Sequence, residues 1–243
     1  MAVPIAIQSL LPQKFFGLVP LFIGVEIILG ITILNKASGL YGILSLFTGH
    51  PINFLQWLYN SLALLMLPVY ASAAISLENK VELVRKISFA TLVFCIDTLI
   101  GLFYTVYFMY LWFSEEGSSG TTTSALFTRG GASSYADLEP SSKSASTERE
   151  LFFIFSTTLV TILMRIYFTL TMLSFAKVLL KQNSLESRYK TEINLDGENG
   201  SDQLLEDAAE IEISNSSGLS GEVKKLLYDL EMRSKDFLDE MLN

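Results

Sequence analysis

The chain has 243 residues, half of them hydrophobic and only 17% charged, with a formal net charge of −8. A soluble domain of this size usually carries nearer a quarter charged residues; here the charges crowd between and after four long apolar stretches, which excludes an ordinary soluble enzyme and marks a multi-pass membrane protein. The acidity sits at the end: residues 182–243 hold 15 Asp and Glu against 6 Lys and Arg, a tail ill-suited to nucleic acid or to an anionic membrane face.

A bilayer core is crossed by roughly 20 apolar residues. Residues 1–113 should hold the first three spans, at about Phe15–Leu34, Phe54–Leu77 and Ile87–Phe113. No basic segment precedes the first of them, so it is expected to act as an uncleaved signal. Pro20 and Pro68 should kink their helices, with neighbours re-satisfying the backbone. Between the first two spans, residues 35–51 form a glycine-rich segment whose apolar part is too short to cross, which suits an interfacial or re-entrant position. Residues 114–150 are rich in Ser, Thr and Gly and read as a flexible loop. The fourth span occupies 151–181, and 182–243 is the acidic tail. At its end, Val223, Leu226, Leu227, Leu230, Phe237, Leu238 and Met241 recur at mostly helical spacing, predicting an amphipathic helix over 221–242. The fold class is therefore all-α membrane protein with about four transmembrane helices.

Basic residues set the orientation. Lys14, Lys80, Arg85, Lys86, Lys177, Lys181, Arg188 and Lys190 fall on one side, and Lys36, Arg129, Lys143 and Arg149 on the other. Eight against four places both termini in the cytosol and the 114–150 loop in the lumen. The sequons at Asn199 and Asn215 would then stay unglycosylated.

Three ionisable groups lie inside spans: Glu26, Asp97 and Arg165. A bare charge at midplane costs at least about 2.5–3.5 kcal/mol on insertion scales, so each needs a partner, and Arg165 pairing with one or both carboxylates is the economical arrangement. Such a cluster either holds the bundle together or receives a lipid headgroup or a charged group of a partner subunit. One cysteine, Cys95, and one histidine, His50, rule out an internal disulfide and a Cys/His metal cluster. No metal or cofactor site is expected. Phospho-histidine lipid transfer needs one His as nucleophile and another as acid or base, which a single His cannot supply.

The run Gly17, Pro20-Leu21, Val25-Glu26-Ile27, Leu29-Gly30-Ile31, Ile33-Leu34-Asn35-Lys36, Ser38-Gly39, Tyr41-Gly42-Ile43-Leu44, Leu46-Phe47-Thr48-Gly49-His50-Pro51, Phe54 and Gln56-Trp57 resembles the fungal regulatory subunit of inositol phosphorylceramide synthase. Asp97-Thr98 and Arg165 followed by Tyr167-Phe168 continue the likeness. The resemblance implies a Golgi membrane protein bound to a separate catalytic subunit, which moves phosphoinositol from phosphatidylinositol to ceramide in sphingolipid biosynthesis. It implies no catalysis by this chain. The expected partner-facing residues are Asn35, Lys36, Gly39, Tyr41, Gly42, Gly49, His50, Pro51 and Trp57. Membrane lipids, and Golgi sorting machinery acting through the tail, are the other partners implied. The loop lacks a dibasic processing site. From the residues alone, a small carrier or channel with Glu26, Asp97 and Arg165 lining a polar path is the alternative, and an enzyme acting alone is a third.

Overall fold

A computed structural model describes residues 11–40, 44, 54–78, 80–116, 147–194 and 219–242. Among these the secondary structure is helical: α1 (Leu21–Ala37), α2 (Phe54–Ser76), α3 (Lys80–Glu116), α4 (Thr147–Asn194) and α5 (Leu219–Leu242). The expected 114–150 loop, except at its two helical ends, and most of 41–53 lie outside the described residues.

Three helices are long and apolar enough to cross a membrane, over Trp57–Ser76, Glu82–Tyr107 and Phe152–Glu186. At 17 residues, α1 is about 25 Å long, at the short end of what a span needs. It starts later than hydropathy suggests. Phe15 and Val19 exchange backbone hydrogen bonds of 2.9 and 3.0 Å, closing a tight turn through Phe16 (φ 47°) and Gly17 (φ 75°). Pro20 is therefore the N-cap of α1 rather than a kink within it. Its missing N–H costs nothing there, because the first helical donors have no partner in any case. Pro68 does lie inside α2. At their ends α3 and α4 outrun the apolar stretches, because the flanking Lys, Glu, Arg and Gln residues are good helix formers. The helix of α4 thus continues through 182–194, into the stretch that the sequence assigns to the acidic tail.

The chain divides into two units. The first comprises residues 1–95 and 168–243 and the second residues 96–167, so α3 and α4 pass through both. In the first, α1 packs on α2, and its buried residues Gly24, Val25, Ile28, Leu29, Thr32 and Lys36 form a stripe, the i, i+4 pattern of one helix face. The Phe15 ring folds back onto Gly24, where a Cβ would fall 2.6 Å from its Cγ; only glycine leaves that room. The ring also lies 6.3 Å from Phe168, Phe22 meets Phe175 at 6.2 Å, and Tyr70 meets Phe94 edge-on at 6.3 Å. Ala63, Ala73, Ala90 and Ala176 are buried in this unit. Small residues at contacts let helices approach closely where lipid offers no hydrophobic drive for association.

The α5 helix seats Leu238 and Leu242 against Ala176 and Leu180 of α4, with Val84, Leu173 and Met241 packed around them. Arg85 Nε donates to Glu231 at 2.6 Å, and its guanidinium stands 4.4 Å from the centre of the Tyr228 ring.

Candidate functional site: an intramembrane charge pair and the face of α1

The second unit is organised around polar groups. Asp97 and Thr98 are its buried residues among those described. Arg165 Nη1 stands 4.0 Å from Asp97 Oδ2, with 26% of the Arg side chain and 7% of the Asp side chain exposed. Gly101, one turn beyond Asp97, lies directly beneath the guanidinium, where a Cβ would collide with Nη1. Thr105 Oγ1 returns a 2.7 Å hydrogen bond to the Gly101 carbonyl. Positions 97, 101 and 105 are four apart and share one face of α3. That face is a polar strip: a carboxylate, a notch for the arginine, and a hydroxyl turned onto its own backbone.

At 4 Å two unit charges attract by about 4 kcal/mol at an effective dielectric of 20. Inserting both costs roughly 5–7 kcal/mol at about 2.5–3.5 each. The ion pair thus offsets most of its own insertion cost, and a small additional polar stabilisation completes it. Thr98, beside Asp97 and buried with it, is placed to contribute.

Asp97 and Arg165 are thus brought together as the sequence suggests. Glu26 is placed differently. It belongs to the first unit, on the exposed face of α1 with Phe22, Ile23, Ile27, Gly30 and Ile31, away from the buried stripe. Phe22, one turn earlier, meets Phe175 of α4. Nothing within 4 Å would meet a Cβ at Gly30, so the exposed face has a notch one turn beyond the carboxylate.

At the far end of α1, Lys36 is 2% exposed and its ammonium lies 5.5 Å from the centre of the Tyr59 ring, a cation–π arrangement that suits a buried cation. Gly39 is against Asn60 and Ala63 of α2, where an added Cβ would stand 3.3 Å from the Ala63 Cβ. Lys36 and Gly39 therefore join α1 to α2, whereas Asn35 and Trp57 are exposed. Tyr41, Gly42, Gly49, His50 and Pro51 lie outside the described residues. Sequence reasoning missed Gly101 and Tyr59. The first carried a signal in its i+4 spacing from Asp97; the second is an aromatic paired across helices, with no local mark.

The family described as inositolphosphorylceramide synthase subunit Kei1 matches residues 14–183. The chain belongs to the Kei1 family. Two curated relatives agree. The chain is 36% identical over 176 residues to the inositol phosphorylceramide synthase regulatory subunit KEI1 of Saccharomyces cerevisiae, covering 70% of this chain and 78% of the relative. It is 37% identical over 116 residues to the kei1 regulatory subunit of Schizosaccharomyces pombe, covering 46% of this chain and 48% of that one, so it spans about half of the second relative's length. No solved structure matches. The Kei1 match contains the charge pair, the whole of α1 and the 35–51 segment, and it ends before α5.

Proposed function

We propose that this chain is the regulatory subunit of an inositol phosphorylceramide synthase and carries out no catalysis itself, the transfer of phosphoinositol to ceramide being done by a separate multi-pass catalytic chain. The Kei1 family match across α1 to α4 carries this reading, and the single histidine supports it: two-histidine phosphotransfer has to be supplied by the other chain.

The surface offered to that chain runs along the outer face of α1, through Glu26 and the Gly30 notch to Asn35. A carboxylate on the exposed face of an apolar helix is costly in lipid, and a donor or cation on a partner helix would relieve it. Small residues beside it allow the close approach on which association in lipid depends. The charge pair of Asp97 and Arg165 holds α3 to α4. Asp97 is too well buried to line a water path, which disfavours a carrier. A Golgi location follows from the family resemblance. Cytosolic placement of both termini requires α1 to be the fourth crossing, and absence of glycans at Asn199 and Asn215 in a secretory-pathway host tests it.

The deciding experiment is a pull-down of the tagged chain from solubilised membranes, with the eluate assayed for ceramide-dependent synthesis of inositol phosphorylceramide. Activity should co-elute with a second multi-pass protein and vanish without it; a chain that elutes alone and inactive overturns the proposal. Glu26→Leu should lower co-purification without lowering the yield of the chain, and unchanged co-purification would remove the α1 face from consideration.

A further inference from the structure

The α1 helix turns Glu26 outward although polarity favours the reverse. A carboxylate facing lipid is costly, and a rotation of about 100° would carry Glu26 into the place of Val25, inside the buried stripe. Apolar side chains do not oppose that rotation. Ile28 and Leu29 on the buried side are matched by Ile27 and Ile31 on the exposed side, and lipid gives little hydrophobic drive to prefer one over the other. Specific contacts must therefore hold the observed facing.

At its C-terminal end α1 is held on α2, through Lys36 beside the Tyr59 ring and Gly39 against Ala63. At its N-terminal end it is held on α4, by the residues that precede the helix. Ser174 Oγ donates to the Pro12 carbonyl at 2.7 Å, and the Phe15 ring lies 6.3 Å from that of Phe168. The chain then reverses at Phe16 and Gly17, and the Phe15–Val19 backbone pair closes the turn. This brings the Phe15 ring onto Gly24, the first residue of the buried stripe. One ring thus meets both α4 and α1. The turn is also strained: Phe16 has φ 47°, where a bulky side chain is an outlier. Such a conformation persists only where its surroundings over-determine it. Here the Ser174–Pro12 hydrogen bond, the Phe15–Val19 pair and the Phe15 ring in its notch all do so.

We infer that residues 12–19 are a clasp that sets the rotation of α1, which makes Phe15, Gly17 and Ser174 positioning residues for the outer face that carries Glu26 and the Gly30 notch. The inference rests on the reading that this face receives the catalytic chain, and it adds how the face is presented. The helix does not choose its own facing; a turn outside it, tied to the last span, does. Gly17 isolates the clasp for a test. A Cβ there meets nothing within 4 Å, so a substitution acts only through the backbone, at φ 75°. Valine resists that left-handed conformation, whereas asparagine adopts it.

In the full chain with Cys95→Ser, purified alone in detergent, Ile27→Cys on the outer face and Leu29→Cys in the buried stripe are compared for their rates with a small membrane-permeant maleimide. The outer thiol should react at least about tenfold faster; Gly17→Val should bring the two rates within about threefold, and Gly17→Asn should keep them apart. In the pull-down, with Glu26 and Ile27 intact, the ceramide-dependent activity that co-elutes should fall about tenfold for Gly17→Val at equal yield of chain and stay near the parent level for Gly17→Asn. Ser174→Ala removes one hydrogen bond and leaves the backbone alone, and it should move both readouts the same way by less. Thiol rates that stay apart in both Gly17→Val and Ser174→Ala overturn the inference. So does a lost rate difference with undiminished co-elution, or an equal loss for valine and asparagine. A parent chain that brings down no activity overturns the reading on which the inference rests, a failure distinct from the other three.

Discussion

The two units stabilise themselves by different means. Every fully buried apolar side chain among the described residues, from Phe15 to Leu242, belongs to the first unit. There, helices meet through small residues, aromatic edges and one folded-back turn. The second unit buries Asp97 and Thr98 and leaves Phe103, Val106, Phe152, Phe153, Phe155 and Leu163 on its surface, with Phe103 77% exposed. In water that would be an aggregating surface; along a membrane span it is an ordinary lipid face. The first unit is specified by shape and tolerates chemistry poorly where space is tight. Among the described residues the second is organised around the Asp97–Arg165 pair, and its exposed apolar positions should tolerate changes of shape.

The strongest way to break this contrast is to remove the pair. Arg165→Leu takes the counter-charge away from the buried Asp97 carboxylate, which should cost about 3–5 kcal/mol and show as loss of monodisperse chain after heating in detergent. Combining it with Asp97→Leu should recover most of that loss, since an apolar pair of similar volume is often no worse than the ions. A double variant as damaged as the single one would mean that the pair does more than hold two helices. Next comes Gly24→Val, which drives a side chain into Phe15 and should cost about 1–3 kcal/mol by overpacking; Phe15→Ala in the same chain should restore part of it in the same heating assay. The smallest effect is expected for Phe103→Ala in the second unit, within about 0.5 kcal/mol of the parent. A large destabilisation there would show that this face packs against something within the chain, and the contrast between the units would then fail.

Much of this was legible in the sequence, and the exceptions have physical causes. Apolar runs of span length, nearly free of charge, give α2, α3 and α4, because only a helix satisfies the backbone in lipid. Asp97 and Arg165 stand out for the same reason: a midspan charge has few ways to exist. The start of α1 was hidden because hydropathy does not register backbone conformation, and Phe15–Val19 is as apolar as the helix that follows; the Gly17 and Pro20 pair was the available cue. The separate placement of Glu26 depends on which face of α1 is buried, and both faces are apolar. The Arg85–Glu231 contact joins residues 146 positions apart and has no local signature. Helical periodicity gave α5 its apolar side but could not divide it into a docked face and a free one.

The seat of α5 belongs to the same polypeptide as the helix that occupies it. Residues 195–218 join the end of α4 to α5, so docking is unimolecular. Two separate molecules would forfeit translational and rotational freedom estimated at 4–15 kcal/mol on meeting, more than a patch built from Leu238, Leu242 and one Arg–Glu pair should supply. The covalent join removes that cost and also makes it the point of failure. Cutting the chain once between 195 and 218, with every contact at the seat left intact, should release α5 by dilution alone.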